Sequence, residues 1–124
     1  MSRVSRDVRA KRIYDPPEPA DGYRVLIDHV WPRGVSHERA RLDLWARELA
    51  PSDELRKWFD HRPERWAEFQ QLYRAELREN PAVDLLRTRS AAGMVTLLYG
   101  SRNRAFNHAA VLADFLRETN SFAR

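Results

Sequence analysis

The chain has 124 residues, 22 basic and 18 acidic, with no cysteine. That length fits one domain able to form a core without staples, and the lack of cysteine excludes disulfides, thiolate metal centres and thiol nucleophiles together. The net charge of +4 falls in residues 1–14, where Arg3, Arg6, Arg9, Lys11 and Arg12 outweigh Asp7 while the remainder is balanced. The sequence therefore predicts a basic arm over 1–8 and a single α/β domain over 9–120. No apolar run is long enough to span a bilayer, and none follows the N-terminal charges as a secretory signal would. The expectation is a cytoplasmic protein without membrane contact.

Arg9 to Tyr14 reads as a first strand, with Ile13 and Tyr14 its best β-formers. Pro16, Pro17 and Pro19 end it in a surface loop. Tyr23 to Val30 is the second strand, continuously apolar at its centre like a strand covered on both faces of a parallel sheet. Trp31-Pro32-Arg33-Gly34 breaks it, and Ser36 is a good N-cap for a short helix from His37. Leu42, Trp45, Ala46 and Leu49 have helical spacing in a segment too short for a firm helix. Ser52 caps a helix with Leu55, Trp58 and Phe59 on its apolar side. Pro63 opens the clearest helix, where Trp66, Phe69, Leu72, Tyr73 and Leu77 recur at helical spacing until Asn80-Pro81. A helix around Leu85-Leu86 closes at Gly93, read as a C′ glycine. Met94 to Tyr99 is a second buried strand, and a helix from about Ala105 to Glu118 completes a βα unit.

In open α/β sheets, ligands bind beyond the carboxyl ends of the strands, where loops begin and helix N-termini point their free N–H groups. Two loops qualify: His29 to Gly34, and Gly100 to Arg104 leading to Asn107-His108. In the second, Gly100 permits close approach, Ser101, Asn103 and Asn107 offer polar groups, and Arg102 and Arg104 can fork onto a carboxylate or phosphate. His108 shares a helix face with Val111, Leu112 and Phe115. There it is either an inward histidine satisfied by a backbone carbonyl or an acid/base group kept neutral by the helix dipole. Trp31 either stacks on a planar ligand or fills the core, and Arg33 reaches over the site. Asp28 is expected to pair with Arg33, Arg102 or Arg56, with Arg56 and His61 at the rim. No P-loop, GxGxxG or HExxH occurs. His29, His37, His61 and His108 show no i, i+4 pairing, so the sequence predicts no metal site and names no cofactor.

Lys11-Arg12-Ile13-Tyr14-Asp15, Gly22-Tyr23-Arg24-Val25-Leu26-Ile27-Asp28, Trp31-Pro32-Arg33-Gly34, Ala50-Pro51-Ser52, Leu55-Arg56-Lys57-Trp58-Phe59 and Thr96-Leu97-Leu98-Tyr99 resemble the YeaO-like branch of a bacterial family, domain of unknown function 488. The resemblance runs from about Val8 to Glu118 and implies a fold rather than an activity. That fold is α/β, with a small, mainly parallel sheet of about four strands flanked by helices in a three-layer, Rossmann-like arrangement. It also implies a short strand within 44–49, which is the reading adopted over the helical spacing. Other branches carry a cysteine late in the last strand and a Cys-His-Arg word at the start of the next helix. Tyr99 and Asn107-His108-Ala109 stand at those positions here, so the resemblance argues against thiol, redox or thiolate-metal chemistry.

Two functions follow as expectations. The first is a site for a small phosphate- or carboxylate-type anion, held by Arg33, Arg102 and the last helix's N-terminus, with His108 as acid/base or hydrogen-bonding group. The second is a nucleic-acid or regulatory binding module that uses the basic arm. The neutral body and the lack of a helix-turn-helix pattern argue against the second. A protein-interaction domain without a ligand site is a third reading.

Overall fold

The computed structural model describes residues 7–118; most of the basic arm, 1–6, lies outside the described residues. Four strands, β1 (Val8–Arg12), β2 (Tyr23–Leu26), β3 (Leu44–Trp45) and β4 (Val95–Tyr99), form one sheet in the order β1-β4-β2-β3, with every neighbouring pair parallel. Five α-helices accompany them: α1 (His37–Ala40), α2 (Asp53–Phe59), α3 (Trp66–Arg78), α4 (Ala82–Ala92) and α5 (His108–Glu118).

Alternation along the strands sorts side chains into two cores. Val25, Ile27, Val95, Leu97 and Tyr99 face α2 to α5, joining Phe69, Tyr73, Leu77, Leu86, Leu112 and Leu116. Leu26 and Leu98 face the other way, where Ile13, Ala40, Trp31, Val35 and Trp45 form a thinner layer from α1 and its flanking loops. All five residues of β4 are buried, as expected of a central parallel strand covered on both sides. Among the described residues no helix is long and apolar enough to cross a membrane.

Several boundaries differ from the sequence reading for local reasons. β2 stops at Leu26. Ile27 N–H still bonds the Leu98 carbonyl at 3.1 Å, but its own carbonyl is taken by His108 instead of the sheet. The segment after Leu42 is a two-residue strand followed by a 3-10 turn, Arg47–Leu49, so the strand and the helix-like spacing each describe part of it. α5 begins at His108, not Ala105, because Asn103 Oδ1 accepts from Ala105 and Phe106 N–H at 2.9 and 2.7 Å and holds them in a turn. Gly93 has φ 174°, which is extended backbone and not the left-handed C′ conformation. Leu85 is exposed, whereas Leu86 is buried.

The positions that do require glycine border the strands. Gly22 has φ 63°, and a Cβ there would lie 2.4 Å from the Met94 carbonyl oxygen. Beside it Asp21, fully buried, gathers Arg24, Lys11 and Arg9 around one carboxylate. Burial alone would raise its pKa. The Glu18 backbone N–H and the Lys11, Arg24 and Arg9 side chains outweigh that and bring it down to about 2.

Candidate functional site

β2 and β4 are neighbours, so the backbones leaving their carboxyl ends emerge side by side. Gly100 N–H donates to Asp28 Oδ2 at 2.9 Å. A Cβ on Gly100 would stand 2.9 Å from that oxygen and 3.7 Å from Pro32 Cβ, so the close approach of the two loops depends on the missing side chain. His108, the first residue of α5, places Nε2 3.1 Å from the Ile27 carbonyl oxygen and 3.1 Å from Asp28 Oδ1. Two acceptors at one nitrogen assign its proton to Nε2. The hydrogen bond goes to Ile27, and buried Asp28 Oδ1 lies 3.1 Å from the same nitrogen without a hydrogen bond of its own. In the neutral ring, Nδ1, the other ring nitrogen, then carries the lone pair.

His108 and Asp28 form part of the wall of a cleft of about 410 Å³. Its opposite wall comes from α2, the turn after it and α3, with Arg56, Lys57, Asp60 and His61 near Phe59, Trp66 and Phe69; Phe106 and Val30 close the remaining sides. The aromatic side is continuous: Trp66 stacks on Phe106 at 5.2 Å and Phe59 meets Phe69 at 4.6 Å. Helix α2 is fixed at its start by Ser52, whose Oγ accepts from Leu55 N–H and donates to Glu76 on α3. At its end Asp60 and His61 are both left-handed, with φ 49° and 54°. Such conformations cost non-glycine residues on the order of 1 kcal/mol each, and here they turn the chain at the cleft's edge. Behind His108, Tyr73 is fully buried and donates to the Leu49 carbonyl. Burial, then the charges of Glu76 and Asp28, push its phenol far above the ordinary range, so it stays neutral.

Of the residues the sequence singled out, the fold brings Asp28, Arg56, Ser101, Asn107 and His108 to the cleft and leaves Trp31, Arg33, Arg102 and Asn103 out of its lining. Trp31 turns to the second face of the sheet, stacks on His37 at 4.0 Å and donates to the Val35 carbonyl. Arg33 and Arg102 are exposed; the Arg33 carbonyl accepts from Tyr14 Oη at 2.7 Å. Asn103 is the turn residue already described. Asn107 caps α5, with Oδ1 accepting from Ala110 N–H and Nδ2 donating to the Asn103 carbonyl, so its amide is used up locally. Asp28 pairs with none of the expected arginines, because Gly100 N–H and His108 stand closer. Arg56 pairs with Asp53 in its own helix.

Lys57, His29, Trp66 and Phe106 also line the cleft and were not singled out as ligand-binding residues. Phe106, a large apolar residue within a polar turn, was the legible signal. Lys57 was visible only as part of a mixed charged and aromatic run. The loop itself is clasped from outside by Arg12, which donates to the Ser101 carbonyl at 2.8 Å, and by Arg104, which forks onto Asp15 at 2.9 and 3.0 Å. Among the described residues, no three His, Asp or Glu side chains gather in a metal-holding group.

A family model described as the inactive DUF488-N3 subclade matches residues 7–123. The chain belongs to this family. The uncharacterized protein YeaO of Escherichia coli is similar to this DUF488-N3 chain, with 41% identity over 116 residues, covering 90% of the chain and 97% of YeaO. The uncharacterized protein Rv3073c of Mycobacterium tuberculosis is 42% identical over 116 residues, covering 94% of the chain and 98% of its own length. No solved structure matches. At the positions where the resemblance expects cysteine in other branches, this DUF488-N3 chain has Tyr99, buried, with its phenol pKa raised by that burial, and the helix cap Asn107.

Proposed function

We propose that this DUF488-N3 protein binds a small organic anion, with its acidic group at the α2 rim and its apolar body against the aromatic wall. The observation that carries this reading is Lys57. It lies on the cleft with Phe59 and Trp66, and among the described residues it makes no hydrogen bond or close ion pair, its charge acting on Asp53 one turn earlier only at a distance. An unpaired ammonium beside an apolar wall favours a ligand combining one negative charge with a hydrophobic surface. Arg56, His29 and His61 add positive or polar character at the same rim. The cleft volume suits a molecule of one ring and its substituents.

Binding without turnover is the form of this reading. Nε2 of His108 is committed to the Ile27 carbonyl, and the family model that the chain matches carries the description inactive. The cytoplasm is the proposed compartment, in keeping with a chain that has no cysteine.

Calorimetric titration with phenylacetate, beside its neutral analogue phenylacetamide, tests the proposal. Phenylacetate should bind about three- to fivefold more tightly, a difference of up to about 1 kcal/mol for one charge interaction at an exposed rim. Lys57→Ala should erase that preference. Equal affinity for acid and amide, or no binding of either, would refute it.

A further inference from the structure

The two nitrogens of His108 have different fates. Nε2 points at two oxygen acceptors, Ile27 O and Asp28 Oδ1, each 3.1 Å away, so it must carry the hydrogen. Nδ1 has no hydrogen-bond partner among the described residues, while the side chain remains 16% exposed in the wall of the cleft. A flip of the ring would exchange Nε2 with Cε1 and give up the hydrogen bond to the Ile27 carbonyl, and the Tyr73 ring packs edge-on against it with centroids 6.2 Å apart. Asp28 is itself held by Gly100 N–H, so the dyad is fixed at both ends. The site therefore presents an oriented acceptor in a cleft that also holds aromatic and cationic side chains, with Asp60 at its rim.

We infer that the cleft selects organic anions that also bear a hydroxyl group, and that His108 Nδ1 accepts the hydroxyl hydrogen. The inference rests on the anion reading above and narrows its ligand class to hydroxy acids. A neutral hydroxyl is favoured over an ammonium because the cleft's unpaired charge, Lys57, is positive, while Asp28 already faces Gly100 N–H and His108. A ligand without a donor would leave Nδ1 facing apolar surface without a partner, which costs affinity. His108 is thus a specificity residue for binding, with Asp28 and Ile27 as its positioning groups.

Mandelate and phenylacetate differ by the one hydroxyl and so form the test pair. Mandelate should bind about tenfold more tightly to the native protein. His108→Gln retains an amide N–H able to reach Ile27 O and Asp28 but removes the Nδ1 acceptor, so it should bring both ligands to the phenylacetate affinity. In native protein with labelled imidazole nitrogens, mandelate should shift the Nδ1 resonance and phenylacetate should leave it in place; this readout does not depend on any variant folding. If both acids bind equally and Nδ1 does not move, the hydroxyl inference is overturned and the anion reading stands. If neither acid binds, both fall together.

Discussion

At the scale of single residues, two carboxylates that look alike in the sequence do different work. Asp28 joins the loops, accepting from Gly100 N–H and steadying His108. Asp28→Ala leaves the Gly100 N–H without its acceptor and removes the carboxylate beside His108, so it should lower unfolding free energy by about 1–3 kcal/mol and weaken phenylacetate binding; denaturant titration and calorimetry read the two effects. Gly100→Ala should reproduce the binding loss without touching any polar group, because its Cβ would occupy space 2.9 Å from Asp28 Oδ2. Asp21 instead holds the far half of the sheet together, with its pKa depressed to about 2 by donors that outweigh burial. Because the folded value lies below the unfolded value of about 3.9, its contribution is complete above that upper value and disappears as pH falls toward 2. Urea midpoints taken from pH 5 to pH 2 should fall more steeply for the native protein than for Asp21→Asn, which should already be weakened at neutral pH by the loss of charge facing buried Arg24. Parallel curves would contradict this account of Asp21.

Elements with strong local signals were legible from sequence alone. Ser36 and Ser52 cap α1 and α2 as expected, each accepting from an N–H three residues on, and the helical spacing from Trp66 to Leu77 became α3. Ser52→Ala should cost about 0.5–2 kcal/mol, toward the upper end because Glu76 also loses its hydroxyl partner; thermal unfolding measures it. The elements that were misread are those decided by distant partners. β2 was shortened by a histidine 81 positions along the chain, and α5 was delayed by an asparagine turn whose side chain satisfies backbone that a helix would otherwise use. Gly93 was read as a left-handed C-cap, a natural assumption at a helix end, yet the chain there is extended and a Cβ would meet nothing within 4 Å. Gly93→Ala should therefore be neutral or stabilising by up to about 1 kcal/mol, whereas Gly22→Ala, with φ 63° and a clash with Met94, should be severely destabilising. Comparing the two melting temperatures separates a permissive glycine from an obligatory one.

Across the whole molecule, the family resemblance carried a small parallel sheet flanked by helices but not its order, β1-β4-β2-β3, in which the fully buried strand β4 lies between β1 and β2. It could not carry the cleft's outer wall. Arg33 and Arg102 looked like the anion's holders because they follow the right strands, but their loops place them in solvent, and the cationic side comes from α2, which packs over the cleft through α3. The packing of Trp66 against Phe106 joins that wall to the last loop, and such contact has no signature in spacing. Charge is likewise local: the net +4 sits in the N-terminal segment, while the cleft relies on Lys57 and its neighbours. Deleting residues 1–6 should thus leave phenylacetate affinity unchanged within about twofold; a large loss in calorimetry would favour the basic arm as the binding element. A crystal structure of the protein with mandelate tests the central claim most directly. The account predicts the phenyl ring against the wall formed by Trp66 and Phe106, the carboxylate within reach of Lys57 and the hydroxyl on His108 Nδ1; mandelate bound outside the cleft, or a cleft that remains empty at saturating ligand, would contradict it.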